Sequence, residues 1–442
     1  MARRNRRRQP EGPFDAQIDD LAHDGRGVAH EDGKAIFIED ALPQEQVTYM
    51  RTGRRASHDE GRLQSVITPS PDRVEPECPH FGVCGGCRLQ HFSADGQISF
   101  KQKQLLENLR RIGKVEPAEV LPALTGPAYG YRRRARLGAK HVPKKGGVLV
   151  GFRERSAPYI AQIESCAVLH PKVGEKITAL ADMIGGLSIH SQLPQIEVAV
   201  GDNATALVLR VLKEPTGADL QAIEAFGQAH DFYFYLQRGG PDTIMPLRPD
   251  TPELWYALED HDVRLHFLPL DFVQINGDIN KAMVSQALHL LDLQPEDQVL
   301  ELFAGLGNFS LPLARQAKRV ISIEGEATLI DRLKDNAHRN GIENIDAHVG
   351  DLFQDDAGEG GWIKASFNKL LIDPPRSGAK EILPRVAAKN PERIVYVSCH
   401  PGTLARDAGM LVHEQGYHLQ SVGVMDMFPH THHVESMAVF VK

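Results

Sequence analysis

From about His266 onward the chain alternates short apolar runs with helical stretches, and several of those runs stop on a residue able to do chemistry. Val299-Leu300-Glu301-Leu302-Phe303 leads into the glycine turn Ala304-Gly305-Leu306-Gly307-Asn308, and Val320-Ile321-Ser322-Ile323 ends on Glu324. Leu370-Leu371-Ile372 runs into Asp373, and Ile394-Val395-Tyr396-Val397-Ser398 into Cys399, with Pro401 and Gly402 breaking the run. Strands alternating with helices imply a parallel, doubly wound sheet. Ligands and reactive groups collect beyond the carboxyl ends of such strands, which is where these side chains fall.

The spacing of about 20 residues from the glycine turn to Glu324 is that of a nucleoside-binding half, the carboxylate taking the ribose hydroxyls. Ser310 stands where a pyrophosphate-binding turn has its third glycine, so S-adenosylmethionine suits the turn better than a dinucleotide. Asp351, after a further strand, shares that sheet edge and suits an adenine amino group. Cys399 alone reads equally as a nucleophile or a buried thiol. A second strand ending in Asp373 at the same edge favours the nucleophile. In Asp373-Pro374-Pro375-Arg376 the arginine argues against adenine amino methylation, which would want an aromatic residue there.

A chain of 442 residues is too long for one core, so two or three domains are expected. No apolar window is long enough to span a bilayer and the start lacks a secretory signal's apolar region, so no membrane partner and a cytoplasmic location are expected. The net charge of -8 requires any nucleic-acid surface to be local. Residues 1–13 read as a basic arm, with Arg3, Arg4, Arg6, Arg7 and Arg8 forming either a phosphate-contacting tail or a solvated leftover. Residues 14–68 alternate as short strands, with a hairpin signal at Asp32-Gly33. Gly25-Arg26-Gly27-Val28, Asp32-Gly33-Lys34 and Ala41-Leu42-Pro43 resemble the TRAM domain, an OB-like β-barrel of RNA-modifying enzymes.

A proline-rich linker leads into Cys78, Cys84 and Cys87, three thiols within ten residues. Cys166 is the remaining cysteine outside the sheet-end stretch, and so the natural fourth ligand. Four thiolates suit zinc or an iron–sulfur cluster, and this Cys-x5-Cys-x2-Cys spacing with a remote fourth fits the cluster better. Residues 100–112 read as a helix with Leu105, Leu106, Leu109 and Ile112 on one face and Gly113 as its stop. Between Tyr129 and Arg153 there is no acid, while Arg132, Arg133, Arg134, Arg136, Lys140, Lys144 and Lys145 crowd together. Interleaved with Tyr129 and Tyr131, they read as a phosphate- and base-binding patch. Runs near 196–200, 207–211 and 232–235 describe an antiparallel β-rich middle.

Phe272-Val273-Gln274-Ile275-Asn276, Glu301 to Phe309, Asp373-Pro374-Pro375-Arg376, Ser398-Cys399-His400-Pro401 and His433-Val434-Glu435 together resemble the RNA uracil-C5 methyltransferase family. Within it, a TRAM-like barrel and a cysteine cluster resemble the members that act on 23S ribosomal RNA. The resemblance implies three parts: TRAM over 14–68, a β-rich RNA-binding domain with an iron–sulfur cluster over 69–265, and a Rossmann-like methyltransferase domain over 266–442. The helix at 100–112 is expected to pack on the last of these. It implies a 4Fe-4S cluster on Cys78, Cys84, Cys87 and Cys166, and S-adenosylmethionine at Gln274, Phe303, Asn308, Glu324, Asp351 and Asp373. It further implies Cys399 as nucleophile, Glu435 as base, Asp373 at the uracil, RNA contacts at Arg132, Arg133, Arg134, Arg136 and Phe272, and a monomer acting on 23S ribosomal RNA.

The family usually has asparagine where this chain has His400, which either hydrogen-bonds similarly or, when charged, favours the thiolate. Rival expectations are a transfer-RNA uracil, another 23S uracil, or an inactive RNA-binding module. Cytosine-C5 methylation is disfavoured, because no cysteine stands beside the prolines of the Asp373 motif.

Overall fold

The computed structural model describes residues 11–354 and 361–442; the arginine-rich stretch before them lies outside the described residues. Among the described residues the first sheet has six strands, in the order Glu11–Gln17, Gln46–Arg54, His58–Thr68, Lys34–Glu39, Gly27–Glu31, Asp20–Leu21. Asp32 (φ 50°) and Gly33 (φ 78°) make the tight turn between Gly27–Glu31 and Lys34–Glu39. Both central residues of such a turn need positive φ, which Asp-Gly supplies cheaply. Ile18, Ile36, Ile38, Val47 and Tyr49 fill this sheet's interior.

Helix α1 (Ala94–Asn108) begins six residues earlier than the apolar pattern suggests, because Ser93 caps it by accepting from the Gly96 N–H. Leu105 and Leu109 are buried as expected, but the last turn, Leu109–Gly113, widens into a π-helix and leaves Ile112 exposed. α1 packs on helix α2 (Pro401–His413), sharing one core with Leu404 and Ala405.

A second sheet, again of six described strands, runs Ile244–Pro246, Tyr233–Gln237, Thr205–Arg210, Gln195–Val200, Arg134–Val142, Gly147–Gly151. It is not wholly antiparallel, since Thr205–Arg210 and Tyr233–Gln237 pair in parallel. A parallel pair needs a crossover, and helix Gly217–His230 provides it, started by a capping box between Thr216 and Asp219.

The third sheet is numbered here as β1 (Gln298–Leu302), β2 (Arg319–Glu324), β3 (Ile345–Val349), β4 (Lys369–Ile372), β5 (Arg393–Ser398), β6 (His418–Met425) and β7 (Glu435–Val441). Its order is β3-β2-β1-β4-β5-β7-β6, with Glu119–Val120 added at the β6 edge. β1 to β5 are parallel and β7 runs antiparallel between β5 and β6. Apolar clusters cover both faces, which is why β4 and β5 read as continuous hydrophobic runs. Among the described residues no helix is long and apolar enough to cross a membrane.

Candidate active site

The last pair of the β5–β7 ladder is Ser398 with Ser436. Cys399 and Glu435 come next at the same end, so the antiparallel register sets them opposite each other. β4 ends beside them: Ile372 pairs with Tyr396, and Asp373 follows it. Buried Asp407 braces the corner, accepting from Tyr396 Oη at 2.6 Å and from the Ala379 N–H at 2.8 Å. Arg406 adds a bond to Ser377 O at 2.9 Å. The turn carrying Arg376 is thus fixed against α2.

The strand stops at Ser398, and Pro401 is the first residue of α2. His400 is the cap, its Nδ1 accepting from the Thr403 N–H at 3.2 Å. This is the hydrogen bond an asparagine would make. Burial first, and Arg376 second, hold the ring below the usual histidine range, so it acts here as a neutral acceptor.

Burial pushes the Cys399 thiol up to about 12, with Glu435 and Asp373 adding to the effect and Arg376 opposing it. Glu435 is pushed up to about 8, by burial and then by Asp373, against Arg376 and Lys101. Burial pushes Asp373 up to about 7. At neutral pH the thiol is therefore protonated, and the two carboxyl groups together hold between one and two protons. Behind them Glu301 is buried and pushed up to about 8, its Oε2 taking the Ser310 and Ser322 hydroxyls.

The other strand ends form a second half-site. Glu324 accepts the Gly305 and Glu326 N–H groups, each at 3.0 Å. Gly305 has φ +58° and no atom within 4 Å of where a side chain would begin, so the backbone lies open to a ligand. Phe303, at φ 64°, is a non-glycine residue in the left-handed region, the kind of strain that gathers at functional sites. Its ring lies 5.6 Å from that of Phe353, next to exposed Asp351. The Asn308 side chain is largely engaged: Oδ1 takes the Tyr256 hydroxyl and an Asn280 N–H at 2.9 Å each, and Nδ2 donates to Asn280 at 2.8 Å. Gln274 lines a small cavity with Tyr256 and Asn280.

Cys78, Cys84, Cys87 and Cys166 are free thiols lining one predominantly apolar cavity with Phe81, Phe152 and Ile163. Burial raises Cys84 and Cys166 and pushes Cys87 up to about 12. Among the described residues no group of three His, Cys, Asp or Glu side chains is arranged to hold a single metal ion.

The arginine run is mostly turned inward. Arg134 is part-buried and donates to Pro269 O at 2.7 Å and Asp271 O at 2.6 Å, just before Phe272, which is 70% exposed. Arg133 pairs with Asp202, and Arg132 bonds Arg134 O at 2.9 Å beside the cysteine cavity. Arg136 alone of the four is mostly open, at 72% side-chain exposure, and its Nε donates to Glu197 Oε1 at 2.5 Å. Of the two tyrosines, Tyr131 is buried, while Tyr129 is half-buried with its ring 4.5 Å from that of His430. Local charge made this stretch look like a surface; β pairing places half of it against other backbone.

Three residues escaped the sequence reading as site components. Lys101 sits in a helix whose pattern signals only packing, Glu301 in an apolar strand, and Arg376 counted only as a departure from another motif. The prolines and strand ends nearby mark the region, but only the fold brings Arg376 to Cys399, Lys101 to Glu435 and Glu301 to Asp373.

Fold and site together define a class: a methyltransferase-type α/β sheet carrying a cysteine and two carboxyl groups at its strand ends, beside an open glycine turn. The sequence pattern of the family described as tRNA (Uracil-5-)-methyltransferase matches residues 245–349 and 362–442. A 23S rRNA (uracil(1939)-C(5))-methyltransferase RlmD from Alkalilimnicola ehrlichii is 52% identical, over 99% of both chains. Its counterpart from Methylococcus capsulatus is 51% identical over 100% of both. Among solved structures, the Pyrococcus abyssi tRNA (uracil-54, C5)-methyltransferase in complex with S-adenosyl-L-homocysteine aligns with a TM-score of 0.74 and 25% identity, over 97% of this chain and 100% of that one. This chain belongs to the RNA uracil-C5 methyltransferase family.

Proposed function

We propose that the protein transfers the methyl group of S-adenosylmethionine to C5 of a uracil in 23S ribosomal RNA, through a covalent bond from Cys399 to uracil C6. The substrate follows the two full-length relatives at 52% and 51% identity, whose names carry it. The observation behind the chemistry is the register that sets Cys399 opposite Glu435.

Uracil C5 is a poor nucleophile until a thiolate adds to C6. The Cys399 proton must leave first, passing by way of the free carboxylate to solvent, so that Glu435 is ionised when the C5 proton is to be taken. Addition moves the ring's electrons towards the C4 oxygen, and C5 attacks the methyl group as its bond to the sulfonium sulfur breaks. Glu435 then takes the C5 proton, the C5–C6 double bond re-forms and the cysteine sulfur leaves. Asp373 holds the uracil edge. Glu324 takes the ribose and Asp351 the adenine, with Phe303, Gln274 and the remaining Asn308 N–H along the nucleoside. A cleft of this kind requires the base to leave its stack, and exposed Phe272 supplies an aromatic face.

Residues 14–68 act in this reading as a TRAM domain, 69–265 as the cysteine-bearing RNA-binding part and 266–442 as the methyltransferase, in a cytoplasmic monomer. Cys78, Cys84, Cys87 and Cys166 would hold a 4Fe-4S cluster, whose part is to bind the segments bearing these cysteines together. Four part-buried cysteines lining one predominantly apolar cavity support that reading.

The test is incubation of 23S ribosomal RNA with labelled S-adenosylmethionine and either wild-type protein or Cys399→Ala, then mapping of the labelled nucleotide. Label on C5 of one uracil, lost with Cys399→Ala, is expected. Label on cytosine or adenine, or turnover by the alanine variant, overturns the proposal.

A further inference from the structure

Helix α1 carries a lysine to a place that water does not reach. Lys101 is 0% exposed; its Nζ donates to Asp426 Oδ1 at 2.6 Å and to Phe428 O at 3.0 Å. Both acceptors belong to the connection between β6, which ends at Met425, and β7, which starts at Glu435. That connection delivers Glu435 to Cys399, and much of its shape comes from outside the methyltransferase sheet. Gln97 Oε1 accepts from the His430 N–H at 2.7 Å, and Arg88 and Leu89 N–H donate to His430 O at 2.8 and 3.0 Å. Tyr131 Oη donates to Pro429 O at 3.1 Å.

A buried ion pair is a weak source of stability, and an apolar pair of similar volume serves the fold as well or better. The charge therefore calls for another explanation. Lys101 faces two carboxyl groups, Asp426 and Glu435, and the neutral rings of His430 and His433. The groups acting on Glu435 are Asp373, Arg376 and Lys101.

We propose that Lys101 is a positioning residue for the proton-removal step: it holds the connection 426–434 in place and supplies a positive charge that Glu435 faces from a helix outside the methyltransferase sheet. This rests on Glu435 being the base. Without the lysine, Glu435 keeps its proton at higher pH and is held less firmly. Addition and methyl transfer then proceed, but loss of the C5 proton slows and the enzyme–RNA adduct persists.

The experiment follows full-length protein with 23S ribosomal RNA and labelled S-adenosylmethionine in a single turnover, reading methyl transfer and the adduct surviving denaturing electrophoresis. Lys101→Met is expected to raise the surviving adduct by about fivefold or more, with methyl transfer within about twofold of wild type. Lys101→Arg, which keeps the charge, should restore release. Wild-type adduct levels in Lys101→Met, or parallel loss of adduct and methylation, overturn the proposal. Glu435→Gln is run alongside: adduct accumulating there but not in Lys101→Met sinks this inference alone, while no accumulation in Glu435→Gln sinks the base assignment itself. Where Lys101→Met does not fold, Lys101→Met/Asp426→Leu removes both charges and is read instead. Insolubility of that variant too counts against the proposal, since the lysine would then serve the fold.

Discussion

Cys399 and Glu435 stand opposite each other one residue beyond the Ser398–Ser436 pair, so the β5–β7 ladder itself sets the spacing of nucleophile and base. A slip of one residue in β7 would put Glu435 on the opposite face of the sheet from Cys399. The two variants should therefore fail differently. Cys399→Ala is expected to give neither adduct nor methylated RNA, whereas Glu435→Gln should still form adduct and lose about 10²–10⁴ in turnover. Single-turnover labelling separates them, and an adduct-free Glu435→Gln variant contradicts the assignment.

Glu301 gives a pH signature in stability. Its carboxyl is buried and sits near 8 in the folded protein against an ordinary value of 4.5. A group raised on folding binds its proton more tightly in the native state. The stabilisation is complete below about pH 4.5 and is lost as pH rises through 8, at up to about 1.4 kcal/mol per pH unit for one proton. Glu301→Gln should accordingly show a shallower fall of Tm between pH 5 and 8 than wild type. A slope equal to or steeper than wild type would mean that Glu301 is not protonated in the fold.

The catalytic sheet was largely legible because its strands are buried on both faces and stop on polar residues. β1, β2, β4 and β5 fall within one or two residues of their apolar runs. The strand ends locate Cys399, Asp373 and Glu324 directly. What sequence does not disclose is pairing between distant segments. Nothing local says that Thr205–Arg210 and Tyr233–Gln237 lie parallel, that Lys101 meets Asp426, or that Arg134 is held by backbone carbonyls. A run of arginines looks the same from sequence whether its guanidinium groups meet phosphate or a neighbouring turn.

That distinction is measurable. Arg136 is open to solvent and Arg134 braces the turn before Phe272. Arg136→Ala should weaken RNA binding and reduce the salt slope by about one. Arg134→Ala should leave the slope unchanged, lower Tm and reduce methylation, because Phe272 and Gln274 lose their support. Equal salt slopes in the two variants would contradict this division.

His400 does the work of a helix cap. His400→Asn should melt within about 0.5 kcal/mol of wild type, while His400→Ala should cost about 1 kcal/mol. The asparagine variant should also keep the wild-type pH profile of methylation, since the neutral ring contributes an acceptor and not a charge. A profile displaced in His400→Asn would show that the histidine titrates during turnover.

The cysteine cavity yields a prediction that does not depend on catalysis. Cys166 lies 79 residues beyond Cys87 in the chain but lines the same cavity, so whatever the four thiols bind ties two distant segments together. Anaerobically purified wild-type protein should contain iron and inorganic sulfide in equal amounts, about four of each per chain. Cys166→Ser should lose both and melt at lower temperature, with the strands Arg134–Val142 and Gly147–Gly151 losing amide protection first, because Cys84 and Phe152 pack on their cluster. Zinc at one equivalent without sulfide would assign the cavity to a single ion instead. Loss of protection confined to residues 393–442 would show that the cysteines act on the catalytic end and not on the sheet they adjoin.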